Sequence, residues 1–283
     1  MDALIHVSDL HFAYGDHVVL DGMSADIHRG EVVVLLGPNG TGKTTLVELI
    51  MGSLAPHAGS IRTLGRDPRT QHGAWFGEIG LVIQHYSDHG KWTVNEFMAW
   101  ICGHYVKEPH HLSPADALEL VGLGDVGKQV MGTLSGGQRR RLDLAAAVVG
   151  QPELLILDEP TTGLDLEARQ QFHRIIQDRV DEGVTVLMTT HDMAEAQDLA
   201  DRVLILNHGH LVASGSPQQL RDELLQPTQI TWFEDGKRQV HATDYPEVFL
   251  KSLDLDAITG IEITRPTLGD AYLKLVNTTK ETA

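Results

Sequence analysis

What these 283 residues lack narrows the field first. A single cysteine, Cys102, has no partner for an intramolecular disulfide. That sets aside the small disulfide-framed folds and suits a reducing compartment. A lone thiol reads as a small buried hydrophobe rather than a reactive group. Long apolar runs are missing too, none approaching the ~18 residues that a membrane-spanning helix needs. The opening residues Met1, Asp2, Ala3 and Leu4 lack a basic region leading into an apolar stretch. The expectation is a cytoplasmic protein that meets a membrane only through another chain. Basic charge is also short: 22 lysines and arginines stand against 39 acidic residues, a formal charge of −17. Such a field disfavours loose binding to nucleic acid or anionic lipid, with Arg139, Arg140 and Arg141 left as a local basic patch. Partners must be docked by shape.

What is present is an ordinary core, 42% hydrophobic, in a chain long enough for one large domain or a main domain with an appendage. Short runs rich in Val, Ile and Leu at 32–36, 154–157, 184–188 and 203–206 read as buried strands. Helical patterns lie between them, as in Leu46, Val47, Leu49 and Ile50, or Leu142, Ala145, Ala146 and Val149. This alternation implies an α/β fold, a parallel sheet with helices on both faces. Two regions break it. Residues 1 to about 30 and about 58 to 84, including the 79–83 run, are expected to form a small antiparallel sheet. Residues about 86–150 read as an inserted helical lobe. The domains expected are 1–220, carrying the sheet and this lobe, and a small α+β appendage over 228–283. Within the appendage, residues 230–233 and 239–242 flank the turn Glu234, Asp235, Gly236, Lys237 and read as a hairpin.

Residues 37–44, GPNGTGKT, match G-x-x-x-x-G-K-[ST], directly after one strand run and before a helical pattern. Glycines let backbone N–H groups turn inward around phosphates, and the helix N-terminus adds partial positive charge. The candidate phosphate contacts are Gly37, Asn39, Gly40, Gly42, Lys43, Thr44 and Thr45. Lys43 would reach the β and γ phosphates, and the Thr44 hydroxyl would bind Mg2+. The 154–157 run ends in Asp158 and Glu159, at the strand end where ligands of such sheets bind. Asp158 can serve the metal shell, while Glu159 orients and deprotonates an attacking water.

A third cluster has no obvious place beside that loop. Ser135 and Gln138 fit a capping box at a helix start, but Gly136 and Gly137 each cost about 1 kcal/mol against alanine inside a helix. Their value lies in baring N–H groups to an anion, a second phosphate site. One nucleotide hardly needs two such sites from one chain. A second chain would resolve this, since in a two-fold dimer the loop of one subunit can close over the γ-phosphate held by the other.

Taken together, these motifs resemble the nucleotide-binding subunit of an ATP-binding cassette (ABC) transporter, over about residues 4–220. The resemblance implies a P-loop ATPase fold with ATP and Mg2+ as cofactors. It makes residues 134–138, LSGGQ, the signature loop acting in trans. It gives Tyr14 the role of stacking on adenine and Gln84 that of sensing Mg2+ and the γ-phosphate. Asp165 becomes the aspartate at the dimer interface, and His191 the switch histidine at the γ-phosphate. The implied partners are a transmembrane permease and a second ATP-binding subunit, the same chain or a different one, at the cytoplasmic face of the cell membrane. Residues 85–92 lack the proline-rich, apolar character usual in the region that couples to the permease. The tail segment RPTLGDAYLKL, 265–275, is similar to the helix ending many multidrug and antibiotic exporter ATPases, which points to export. The other readings are a soluble cassette ATPase acting on ribosomes or DNA, and the ATPase of an importer. The soluble class is expected to carry either two cassettes in one chain or a long coiled-coil insertion, and the stretch between Thr44 and Ser135 shows no sustained heptads.

Overall fold

The computed structural model describes residues 3–84, 90–105, 110–223, 227–255, 257–264, 267, 269–270 and 272. Its contacts divide into two compact units, 1–214 and 215–283.

In the first unit the elements run β1 (Ala3–Tyr14), β2 (His17–His28), β3 (Val32–Leu36), α1 (Lys43–Ile50), β4 (Ala58–Thr63), α2 (Ala74–Gly77), β5 (Ile79–Val82), α3 (Val94–His104), α4 (Pro114–Leu120), α5 (Gly136–Val148), β6 (Leu154–Asp158), α6 (Leu166–Asp181), β7 (Thr185–Thr190), α7 (Met193–Leu199), β8 (Arg202–Asn207) and β9 (His210–Gly215). Strands β2, β1 and β4 form an antiparallel sheet, and the main sheet has the order β5-β6-β7-β3-β8-β9. Neighbours from β5 through β8 run parallel. All five residues of β3 and of β6 are buried, as a parallel sheet covered on both faces requires. Helix α1 fills the space beside both sheets, with Leu46, Leu49 and Ile50 in one apolar cluster with Ile5 and Leu20 of the small sheet and Leu35 and Leu204 of the large one.

The 79–83 run belongs elsewhere than expected. It is β5, at the edge of the main sheet and parallel to β6, with Ile79 opposite Leu154. The reason is burial on both faces: Ile79, Gly80 and Val82 are all buried, and a Cβ on Gly80 would lie 2.4 Å from the Ala147 carbonyl of α5. A run packed that closely under a helix cannot leave one face to solvent. Between β5 and β6 lie α3, α4 and α5, whose starts are set by side-chain caps. Thr93 and Glu96 make a reciprocal capping box, and Ser113 accepts from Asp116 N ahead of Pro114. Cys102 is buried in α3 with its thiol directed at the Leu112 carbonyl, and burial pushes that thiol above its ordinary pKa.

The second unit contains α8 (Pro217–Glu223), β10 (Thr228–Glu234), β11 (Lys237–Thr243), α9 (Pro246–Leu250) and β12 (Ile258–Thr264). Its sheet has the order β11-β10-β12, all antiparallel. The hairpin turns at Asp235 and Gly236, both with positive φ, as a two-residue turn matching strand twist demands. Ile230, Trp232 and Ile258 pack under Phe249 and Leu250 as a core of its own. Residues 85–89, and of the tail motif all but Thr267, Gly269, Asp270 and Tyr272, lie outside the described residues.

Candidate active site

Four adjacent parallel strands deliver the candidate residues. Cross-strand register sets Val82 opposite Leu157, Asp158 opposite Thr189 and Leu36 opposite Thr190. The strands β5, β6, β7 and β3 therefore end side by side, and the segments leaving them carry Gln84, Glu159, His191 and the 37–44 loop. Ligands of open α/β sheets bind at this edge.

The loop wraps tightly because its glycines permit it. A Cβ on Gly37 would sit 2.6 Å from the Leu206 carbonyl, and Gly42, which caps α1, has a φ of 103°. Lys43 is buried, with its ammonium donating to the Gly37 carbonyl at 2.7 Å and the Pro38 carbonyl at 3.1 Å. The same ammonium lies 3.2 Å from Glu159 Oε1. Asn39 and Gly40 are exposed on the loop, and Thr45 is buried behind it. The Thr44 hydroxyl donates to Asp158 Oδ2 at 3.0 Å, while Asp158 Oδ1 accepts from the Thr189 hydroxyl.

Glu159 is where the strands' contributions meet. Its backbone sits at a φ of 46°, a left-handed conformation that costs a non-glycine residue about 1–2 kcal/mol. Two acceptors on one residue hold it there, since Glu159 N–H donates to the Thr189 hydroxyl at 3.0 Å and to the Thr189 carbonyl at 3.1 Å. Its Oε2 accepts from Gln84 Nε2 at 3.2 Å and the Thr162 hydroxyl at 3.3 Å, and His191 Nδ1 lies at 3.3 Å. Burial pushes the carboxyl pKa up, but the hydrogen bond and charge of Lys43, with smaller help from His191 and Thr162, outweigh it and leave the group below the usual range. Thr189 and Thr162 were invisible to sequence reasoning. Only the strand order could have placed Thr189 against Asp158.

The other candidates stand on different elements. Ser135 caps α5, its hydroxyl accepting from Gln138 N–H while Gln138 Oε1 accepts from Ser135 N–H. Ser135 and Gly136 are exposed. Gly137 has a packing reason that the sequence did not reveal, because a Cβ there would lie 2.7 Å from Ala168 Cβ on α6. Asp165 is exposed and caps α6, accepting from Ala168 N–H at 2.8 Å. Tyr14 ends β1 half exposed, edge-on to Phe12, with its hydroxyl donating to Glu48 of α1 at 3.3 Å. Among the described residues, no group of three or more His, Cys, Asp or Glu gathers as a metal cage.

A phosphate loop between a buried strand and a helix, with two carboxylates ending the next strand but one, defines an α/β P-loop nucleoside triphosphatase. The model of the ABC transporter family matches residues 20–162. The daunorubicin/doxorubicin resistance ATP-binding protein DrrA of Streptomyces peucetius is 37% identical over 222 residues, which cover 78% of this chain and 67% of that protein. The Nod factor export ATP-binding protein I of Rhizobium meliloti is 34% identical over 294 residues, covering 96% and 87%. A solved ATP-binding subunit of an ABC transporter superposes with a TM-score of 0.69 at 25% identity, covering 78% of this chain and 92% of that one. The chain belongs to the ABC transporter family and is an ATP-binding, ATP-hydrolysing subunit of it.

Proposed function

We propose that this subunit drives export, dimerising when it binds ATP and reopening after hydrolysis, so that a separate transmembrane permease changes its facing. The drug-resistance and Nod factor export relatives support the direction of transport. No helix among the described residues is long and apolar enough to cross a membrane, which fits a peripheral position on the cytoplasmic face held by the permease. The charge of −17 argues against a cassette ATPase working on nucleic acid.

The observation that carries the chemistry is the convergence on Glu159 of Lys43, Gln84, Thr162 and His191. In this reading the Gly37, Asn39, Gly40 and Gly42 loop, with Lys43, Thr44 and Thr45, binds the phosphates, and Tyr14 offers its ring to adenine. The Thr44 hydroxyl and Asp158 carboxylate, 3.0 Å apart, are hard oxygen donors that fit Mg2+, and the Gln84 side-chain carbonyl would be a further donor of the same kind. The ion, when bound, would neutralise charge on the β and γ phosphates. Glu159 takes the proton of the attacking water, and His191 and Gln84 orient the reacting groups. Phosphate oxygens compete with Glu159 for the Lys43 ammonium. Ser135, Gly136, Gly137 and Gln138 of a second subunit close over the γ-phosphate, with Asp165 at the same interface.

Glu159→Gln tests the chemical reading. Hydrolysis should fall by about 10²-fold or more, the usual weight of a general base, while ATP still binds and dimers accumulate in sedimentation. Wild-type turnover in that variant would remove Glu159 from its role. For the transporter reading, capture of the tagged chain from detergent-solubilised membranes should bring a polytopic membrane protein in stoichiometric amount. Ribosomal or DNA-bound partners instead would move the protein to the soluble class.

A further inference from the structure

The middle arginine of the Arg139, Arg140, Arg141 run is not on the surface. Arg140 sits on the second turn of α5, is buried, and turns its guanidinium to the carbonyls of two segments outside its own helix. Its Nε donates to the Pro160 carbonyl at 2.5 Å, one terminal nitrogen donates to the Ile83 carbonyl at 2.7 Å, and the other to those of Glu159 at 3.2 Å and Gln84 at 3.4 Å. Asp143 on the same helix lies 3.6 Å away and is shared with Arg139, which it holds at 2.9 Å, so the buried charge is offset only in part. A planar guanidinium with five fixed donors can serve four acceptors at once, which an ammonium on a flexible stem cannot.

Those carbonyls belong to the two segments that carry Gln84 and Glu159. Their side chains meet at 3.2 Å, yet the segments leave different strands, β5 and β6. Glu159 also holds a strained φ. We infer that Arg140 is a positioning residue for hydrolysis, fixing the backbone of Gln84 and Glu159 relative to one another and tying both to the helix that begins at Ser135. The inference rests on the roles proposed above for Gln84, Glu159 and Ser135. It adds a consequence for the dimer. Ser135 serves the nucleotide held by the partner, whereas Gln84 and Glu159 serve the chain's own, so one rigid helix links the two ATP sites through Arg140.

The test is steady-state hydrolysis by the full-length dimer of Arg140→Gln, which keeps polar hydrogen bonding but not the forked cation. The expected result is a loss of kcat of about tenfold or more, a KM for ATP within about twofold of wild type, and a Hill coefficient for ATP falling toward one. Arg140→Lys, which keeps the charge but not the fork, should show the same pattern and covers the case in which the glutamine variant does not fold. A double-mutant cycle separates positioning from plain structural support. Adding Gln84→Ala to Arg140→Gln should cost far less than Gln84→Ala costs alone, because the group is already displaced. Multiplicative losses in kcat, or full activity with unchanged cooperativity in Arg140→Lys, would overturn the inference. Its fate is distinguishable from that of the underlying reading: active Glu159→Gln enzyme removes the assigned base whatever Arg140 does.

Discussion

Glu159 shows what one residue can and cannot disclose from its place in a sequence. An acidic pair ending an apolar run points to a site, and the GPNGTGKT loop points to phosphate, because both depend on residue type at fixed spacing. The left-handed backbone at Glu159 and its anchorage on Thr189 depend on which strand lies alongside, and no local pattern encodes that. The balance of its pKa is likewise a tertiary property, burial raising it and Lys43 lowering it further. A carboxyl held below its unfolded value stabilises the fold above the ordinary carboxylate pKa, and the gain is lost as pH falls through the lower native value. Urea unfolding of wild type and Glu159→Gln across that acidic window should therefore show an advantage for wild type that disappears on acidification. In a Lys43→Met background, burial is left less opposed, the carboxyl pKa rises, and the advantage should shrink at every pH in the window. Identical pH profiles in the two backgrounds would mean that Lys43 does not set the ionisation of Glu159.

At the scale of elements, legibility followed how locally each one is determined. The buried strands, the 37–44 loop and the Asp235–Gly236 hairpin were readable because their signals are contiguous. Strand β5 lies in the main sheet and not in the small antiparallel one that its sequence suggests, since a five-residue apolar run does not say what covers its second face. Gly137 suggests by its position only a bare N–H offered to an anion, whereas the contact that forbids a side chain there lies on α6, about thirty residues away. That contact gives a prediction about the α5–α6 pair. Gly137→Ala would bring two methyl groups to within 2.7 Å, and overpacking of this kind costs about 1–3 kcal/mol. Ala168→Gly in the same chain should recover most of the loss in thermal unfolding, apart from the ~0.5–1 kcal/mol that glycine costs inside a helix. If Gly137→Ala melts as wild type, or Ala168→Gly gives no recovery, the helices are not held at that distance by the missing Cβ.

Across the whole molecule, the candidate site and the second unit are separable in kind. Every residue from Tyr14 to His191 that the site draws on lies in the unit 1–214, while 215–283 has its own three-stranded sheet around Ile230, Trp232 and Ile258. A unit with so small a core depends heavily on its largest side chain, and Trp232 is nearly buried against Phe249, ring centres 5.5 Å apart. Trp232→Ala in the full-length chain should destabilise this unit by about 3–5 kcal/mol, the usual cost of deleting a buried aromatic. ATP binding by the first unit should remain within about twofold of wild type. Calorimetry should then show a low-temperature transition that ATP and Mg2+ leave in place, and a second that they raise, since ligand stabilises only the unit that binds it. A single transition raised as a whole by ATP, or an affinity that falls as the second unit melts, would show instead that the two units share their stability and that residues 215–283 support the nucleotide site.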